Sequence, residues 1–374
     1  MSRLSVRWVD SLDQWPELAT RWADLFAADG VDRTPFLAPE WAEAWLRVFG
    51  GRPRIAVVER DGRLVGLAPL MRVGAVVPTY VGIGQEVADY GGFLHCEPVE
   101  EVTAALLGAV ERRLLSGAAL VHLGRLPIGA ALHSAVVARY ANHARLELSA
   151  WQQETAPVLD LTNNGDARRL VEKLKKRNDV RRRLRRLTDE HRVEFVYDTS
   201  RDPRALGDFL HLHDLRWQGK DRDPVGPFVS ARGRRFLQEV IGLMAPSGLV
   251  RVSFVEVDSR RLVGRFGFEL DGTYYGSKSA FDPTLAPYGP GHLAVAFLLD
   301  EMLARGLTRF DFMRGEGAHK AAWTRESTPV TYYVLHHRSP RGAMERRLSA
   351  ARSARRYRWP WTITGRRLRT TAME

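Results

Sequence analysis

One cysteine, Cys96, stands in a chain of 374 residues. A lone cysteine excludes an internal disulfide, and with it the small secreted scaffolds that disulfides hold together; it reads as a small buried residue, with a catalytic thiol as the alternative. No apolar run approaches the roughly 20 residues needed to span a bilayer. The opening segment MSRLSVRWVDSLDQW has no apolar core and no cleavage pattern, so no signal peptide is expected. Together these absences point to the cytoplasm. No cluster with metal-ligand spacing is legible either. His336 and His337 are neighbours in a strand-like segment and face opposite ways.

Acidic residues are outnumbered, 44 Asp and Glu against 56 Lys and Arg, for a net charge of +12. The excess is local. Residues 168–192 carry +8 and residues 338–374 carry +9, which leaves the rest of the chain at −5. Two basic segments on a mildly acidic body suggest an anionic partner, or else solvated surface charge.

What is present is 45% hydrophobic and 27% charged, a globular composition, and long enough for two cores. The chain also repeats itself. RIAVVERDGRLVG at 54–66 is echoed by RVSFVEVDSRRLVG at 251–264, with one residue more in the second turn. Each copy reads as strand, tight polar turn and strand. A spacing of about two hundred residues is too long for a solenoid and predicts two copies of one domain. Elements read from periodicity follow the order β-α-α-β-β-β-α-β-α-β in each copy. Trp15, Leu18, Trp22, Leu25 and Phe26 mark a helix in the first copy; Phe209, Leu212, His213, Arg216 and Trp217 share one side of its counterpart. Strands near 145–161 are expected to close the first copy, and VTYYVLHHR the second. The stretch LVEKLKKRNDVRRRLRRL reads as one basic helix with its arginines outward. The expected divisions are residues 1–165, residues 166–337 opening with basic helix 168–190, and a basic tail at 338–374.

That order, twice, resembles the GNAT acyltransferase fold: layered α/β, two GNAT-like domains, each a mixed, mostly antiparallel sheet flanked by helices. The segments FGFELDGTYYGSKSAFDPTLAPYGPG, FDFMRGEGAHKAAW, TPFLAPEWAEAW and FLHLHDLRW resemble FemAB-like and cellulose-biosynthesis-type acetyltransferases. The resemblance spans about residues 5–337. It implies an acyl donor whose pyrophosphate rests on the N-terminus of the helix after the hairpin, where free amides, glycine and the helix dipole favour an anion. In the second copy that place is Tyr288, Gly289, Pro290, Gly291, His292 and Leu293, with proline suited to the first helical position. In the first copy the matching helix opens with Glu97, Glu100 and Glu101, which would repel a pyrophosphate. One working site, in the second copy, is therefore expected.

Acyl transfer to an amine needs loss of a proton from the amine, a donor to the oxyanion, and a proton for the leaving thiolate. Candidates cluster at the ends of strands 273–280 and 308–313. Asp282 is a base or a turn cap. Tyr275, Lys278 and Glu269 share a face if the intervening turn keeps register, and Asp311 faces away from its aromatic neighbours. Glu316 is a base or orienting group; Arg314 and Lys320 are donors to phosphate or carboxylate. The resemblance places Lys320 near the acyl-transfer centre and puts His319 where a proton-donating tyrosine is usual. His213 and Arg216 are a packed core pair or cleft-lining substrate contacts. The donor is then acetyl-CoA or another acyl-CoA, without a metal. The alternative is aminoacyl-tRNA, delivered to a peptide, cell-wall precursor or small metabolite, with tRNA held by basic helix 173–186. Tail 338–369, with Trp359 and Trp361 among arginines, suits an anionic membrane surface or is disordered.

Overall fold

The computed structural model describes residues 4–28, 32–74, 77–96, 99–162, 164–218, 228–340, 342–345 and 347. The tail beyond residue 347, with Trp359 and Trp361, lies outside them, as does Glu97. Two compact units divide the chain: residues 1–154 with 329–374, and residues 155–328. Among the described residues no helix is long and apolar enough to cross a membrane.

The first unit runs β1 (Leu4–Val9), α1 (Trp15–Ala27), α2 (Pro39–Val48), β2 (Arg52–Pro53), β3 (Ile55–Arg60), β4 (Arg63–Ala68), β5 (Leu70–Val73), β6 (Thr79–Gly82), β7 (Leu94–His95), α3 (Val99–Leu115), β8 (Leu120–Pro127), α4 (Ala131–Tyr140) and β9 (Leu146–Asp160), whose last residues belong to the second unit. The five residues that marked α1 in the sequence are all buried in it. Trp22 donates its indole N–H to Leu37 O at 3.0 Å, so the ring is buried without an orphaned donor. Pro69 interrupts the long second strand of the hairpin, and β4 and β5 then pair with different partners, β7 and β6.

The second unit continues with α5 (Asn164–Arg177), α6 (Val180–Thr188), β10 (Val193–Val196), α7 (Ala205–Trp217), α8 (Ala231–Met244), β11 (Val250–Val257), β12 (Arg260–Leu270), β13 (Thr273–Phe281), α9 (Pro290–Ala304), β14 (Arg309–Asp311), α10 (Ala318–Ala321) and β15 (Ser327–His337), whose residues from 329 belong to the first unit. Strands β10 to β13 form an antiparallel meander, and β14 joins β13 in parallel. The core on one face gathers Val263, Tyr274, Phe310 and Trp323 under α5, α6 and α9.

The structure differs from the sequence reading in three places. The basic stretch is two helices, because Asp179 adopts a left-handed conformation (φ 56°), tolerated by a short polar side chain. The closing strands are exchanged: Val158–Asp160 of β9 pair with β14, while Val330–His336 of β15 pair with β8. Both hairpin turns have two residues, Asp61-Gly62 and Asp258-Ser259, so the extra residue enters the second strand rather than the turn. A one-residue slip reverses which face a side chain occupies. A Cβ on Gly66 would collide with Val102 of α3, whereas one on Gly264 would meet Phe209 of α7 at 2.8 Å.

Candidate active site

Strands β13 and β14 pair only from Thr273 opposite Arg309 to Tyr275 opposite Asp311. Beyond Tyr275, β13 runs on to Phe281 while the chain after Asp311 turns away, so the two strands part. A bulge at Phe266 and Gly267 sets the register across from this point. Tyr275 pairs with Phe268 before the bulge and Lys278 with Phe266 beyond it, which brings Tyr275 and Lys278 to one face. Glu269 pairs with Tyr274 on the other face, so it does not join them. Glu269 instead accepts from Arg251 Nε at 3.0 Å and from the Tyr197 hydroxyl at 2.6 Å. Asp311 faces away from Phe310 and Phe312 as the alternation predicts; its Oδ1 accepts from Met313 N at 2.7 Å.

The loop after β14 is held by Lys320, which donates to Met313 O at 2.9 Å and Arg314 O at 2.8 Å. Its ammonium therefore fixes the loop rather than standing free. Glu316 accepts from Thr155 Oγ1 at 2.8 Å. His319 is exposed on α10, and its imidazole is held below the usual histidine range by partial burial and then by the charges of Lys320, Arg216, Arg265 and His292. His292 is lowered as well, by burial and then by Arg183, and its Nδ1 has no hydrogen-bond partner. Trp323 packs behind it, with ring centroids 5.9 Å apart.

Asp282 caps the turn at 283–288. Its Oδ1 accepts from Thr284 N at 2.9 Å and Thr284 Oγ1 at 2.6 Å, and the Thr284 bonds hold its carboxyl below the usual range. That is the capping alternative; a carboxylate so stabilised is a weak base. Arg216 donates to Ser279 O along the unpaired edge of β13, its Cζ 4.9 Å from the Phe281 ring centroid. Lys278 is exposed. His213 is 5% exposed and stacks on Phe228; burial drives its pKa down to about 4, and its Nδ1 makes no hydrogen bond, with Asp214 Oδ1 4.0 Å away. It lines a cleft of about 380 Å³ with His211, Trp217 and Val229. Burial, then Asp311, push the Tyr275 phenol up, so it stays protonated.

At the start of α9, Gly289 is left-handed (φ 63°), which an L side chain adopts only with strain. The amides of His292 and Leu293 donate to Gly289 O at 2.9 and 3.3 Å, so they close the first turn instead of pointing outward. Leu293 is buried. The Gly291 amide makes no hydrogen bond among the described residues, and a Cβ on Gly291 would meet nothing within 4 Å. The cradle read from sequence thus narrows to Gly291. It gains Arg183, which the sequence reading turned outward. The Arg183 guanidinium lies against Gly289 so closely that a Cβ there would collide with it. The signal was present: Val180, Arg183, Leu184 and Leu187 share one helical stripe. Tyr288 lies beneath Arg186, its ring centroid 5.5 Å from Cζ, and its hydroxyl contacts Glu190 at 3.4 Å.

The first unit has the same parting of strands, with β6 and β8 parallel at Thr79–Leu120 and Tyr80–Val121. There the gap is filled from within. Gln85 Oε1 accepts from Gly82 N at 3.1 Å, and its amide donates to the Tyr332 hydroxyl, which bonds His122 Nδ1 at 2.7 Å. About 20 Å³ remains, room for one water. Glu100 and Glu101 occupy the first turn of α3.

His122 is 1% exposed, and burial drives its pKa from 6.5 to about 3. The folded chain keeps it neutral while the unfolded chain protonates below 6.5, so its contribution is complete above 6.5 and is lost as pH falls toward 3. Glu86, raised by burial to about 7, acts in the opposite sense, so the variant is compared with its parent. Replacing His122 by Gln should cost about 2 kcal/mol less at pH 5 than at pH 7.5, measured by urea unfolding. A pH-independent difference would remove the assignment.

Residues 175–321 match the family described as Acetyltransferase (GNAT) domain. Among solved structures, FemX is 11% identical with a TM-score of 0.59, over 88% of this chain and 97% of that one. The C-terminal domain of a putative lysylphosphatidylglycerol synthetase from Agrobacterium fabrum is 13% identical with a TM-score of 0.53, over 90% and 96%. L-PGS from Bacillus licheniformis is 14% identical with a TM-score of 0.50, over 85% and 97%. A search of the curated proteins gave no match. At these identities the structural likeness speaks to fold. The chain therefore has a GNAT-like acyltransferase fold, built as two units of mixed sheet flanked by helices, with acetyltransferase-domain sequence in the second.

Proposed function

We propose that the second unit is an N-acyltransferase of the FemAB-like, cellulose-biosynthesis-type kind, moving an acetyl or other acyl group from an acyl-CoA to an amine by direct attack. The observation that carries this reading is the start of α9. An open Gly291 amide, the positive end of a 15-residue helix and the Arg183 guanidinium converge there with no acidic residue in the first turn. Residues Tyr288, Gly289 and Gly291 shape that place, and Arg183 would hold phosphate oxygens. Bound there, an acyl-CoA would supply an activated thioester.

The chain's own groups then divide the proton work. His319, kept neutral by its surroundings, accepts the proton of the attacking amine, with His292 behind it. Tyr275 stays protonated and can donate a hydrogen bond to a leaving thiolate, which takes up the proton that His319 has accepted. Lys320 positions the loop that carries His319. His213, Arg216, Lys278 and Arg314 border the acceptor side, and Glu316 orients the loop through Thr155. Asp282 is left as a cap.

Coenzyme A at a hundredfold over its dissociation constant should stabilise the fold by about 2.7 kcal/mol, seen as a rise in Tm; an unmoved Tm sinks the proposal. Because the His319 pKa lies below 6.5, kcat/KM should fall only on the acid side of that value. Changing His319 to Ala should lower kcat/KM by roughly 10²- to 10⁴-fold and abolish that acid limb. A limb that survives the change would transfer the role to another group.

A second reading uses aminoacyl-tRNA as donor. Arg181, Arg182, Arg185 and Arg186 are exposed along α6, beside the same helix start. RNA held this way would show steeply salt-dependent binding that weakens when Arg185 and Arg186 become Glu. Salt-insensitive binding, or none, removes it. Contact of the tail 338–369 with an anionic membrane is a proposal separate from either donor.

A further inference from the structure

Three arginines on the meander of the second unit are largely withdrawn from water, and two have carboxylates. Arg251 reaches Glu269 at 3.0 Å and Asp198 at 3.6 Å. Arg261 reaches Asp202 at 2.6 Å and Asp208 at 2.8 Å. Arg265 has none. It is 7% exposed, its Nε lacks any hydrogen-bond partner, and no described carboxylate forms an ion pair with it. A buried guanidinium without a counter-charge is costly. Burial accordingly lowers its pKa, and its polar neighbour is the uncharged Tyr274 phenol.

The position of this charge is specific. Its Cζ lies 5.5 Å from the Phe310 ring centroid. A Cβ on Gly276 would sit 3.1 Å from Arg265 Nη2 and 2.8 Å from Phe310 Cε2. Gly276 directly follows Tyr275, the last residue of β13 that pairs with β14. The guanidinium therefore stands where the two strands part. Arg265 and Arg216 both act on the His319 imidazole, so Arg265 belongs electrostatically to the same cleft.

We propose that Arg265 anchors a carboxylate carried by the substrate, either at the end of the acyl chain or on the amine acceptor. The inference rests on the acyl-transfer reading of this cleft. A guanidinium edge offers two parallel N–H donors, which match the two oxygens of a carboxylate. The substrate's charge then supplies what the fold withholds, and a neutral analogue leaves the arginine buried and unpaired. Discrimination against the neutral analogue should be at least about thirty-fold.

Two arms test this on the full chain. The donor arm compares the affinity of succinyl-CoA with that of acetyl-CoA. The acceptor arm compares the rise in Tm given by glycine and succinate, with coenzyme A present, against their uncharged amides. A carboxylate preference in the first arm places the anion on the acyl chain; one in the second places it on the acceptor. Either preference must vanish in Arg265→Met, a substitution that should leave the ligand-free Tm equal or higher because it removes an unpaired charge. If Arg265→Met fails to fold, Arg265→Lys keeps the charge, loses the planar pair of donors, and should reduce the preference at least about tenfold. No preference in either arm, or a preference that survives substitution, overturns the proposal. Stabilisation by coenzyme A without any carboxylate preference defeats this inference alone; absence of that stabilisation defeats the acyl-transfer reading and this inference with it.

Discussion

Gly291→Glu should weaken coenzyme A binding by roughly a hundredfold or more while leaving the protein as stable as its parent. Both halves of this result follow from the start of α9. A Cβ at Gly291 meets nothing within 4 Å and its backbone is not left-handed, so the side chain fits without strain. A carboxylate in the first turn of a helix interacts favourably with the dipole, by about 0.3–1 kcal/mol. The same carboxylate stands where phosphate oxygens are proposed to rest, replacing attraction by like-charge repulsion of several kcal/mol. It also gives Arg183 an internal partner. The measurement is calorimetric titration of coenzyme A alongside thermal unfolding. Undiminished affinity in a folded variant would take the α9 start out of the binding site. Gly291→Ala, which adds no charge, should be much milder.

Glu269→Ala should destabilise the second unit by about 3–5 kcal/mol, one of the largest single-residue effects in the protein. Glu269 gathers Arg251 at 3.0 Å, the Tyr197 hydroxyl at 2.6 Å and, more loosely, Arg305 at 3.8 Å. The side chains of Arg251 and Glu269 are 9% and 17% exposed, so removing the carboxylate partly strands a guanidinium in a poorly solvated place, with Asp198 at 3.6 Å left opposite it. Most of the loss is that stranding rather than the net worth of the pair. A double change, Glu269→Leu with Arg251→Met, should therefore recover much of it. Urea unfolding of Glu269→Leu, Arg251→Met and the double variant closes the cycle. Additive losses would show that the groups do not act on one another.

Much of the fold was legible because it rests on local pattern. The α1 stripe, the hairpins with Asp61 and Asp258 in left-handed turns, and the start of α9 at Pro290 all follow from residue type and spacing. What escaped is pairing beyond the local chain. The repeated RLVG invited alignment glycine to glycine, yet Gly66 and Gly264 face different helices because one residue entered the strand. The bulge at Phe266 and Gly267, which carries Lys278 away from the face of Glu269 to that of Tyr275, has no unambiguous mark in the sequence. At the candidate site, sequence chemistry found the glycines and histidines but not the partners that fix their roles. Lys320 reads as a donor to phosphate or carboxylate until the carbonyls of Met313 and Arg314 are beside it, and Asp282 reads equally as a base or a cap until Thr284 is. Arg183 and Arg265 had signals, one on an apolar helical stripe and one in a strand that goes on to Phe266 and Phe268. Each was obscured by surrounding charge or by alternation that also suits a surface strand.

The exchange of closing strands bears on how the polypeptide matures on the ribosome. Strand β8 is made early, but the partner that completes its far edge, Val330–His336, emerges about two hundred residues later. At roughly 5–20 residues per second that is about ten to forty seconds in which a bare strand edge is open to foreign pairing. Neither half of the sequence holds every strand of one unit, so expressing either half alone should invite aggregation at the edge left without its mate. Mixing the two halves should rescue solubility only when both are present together.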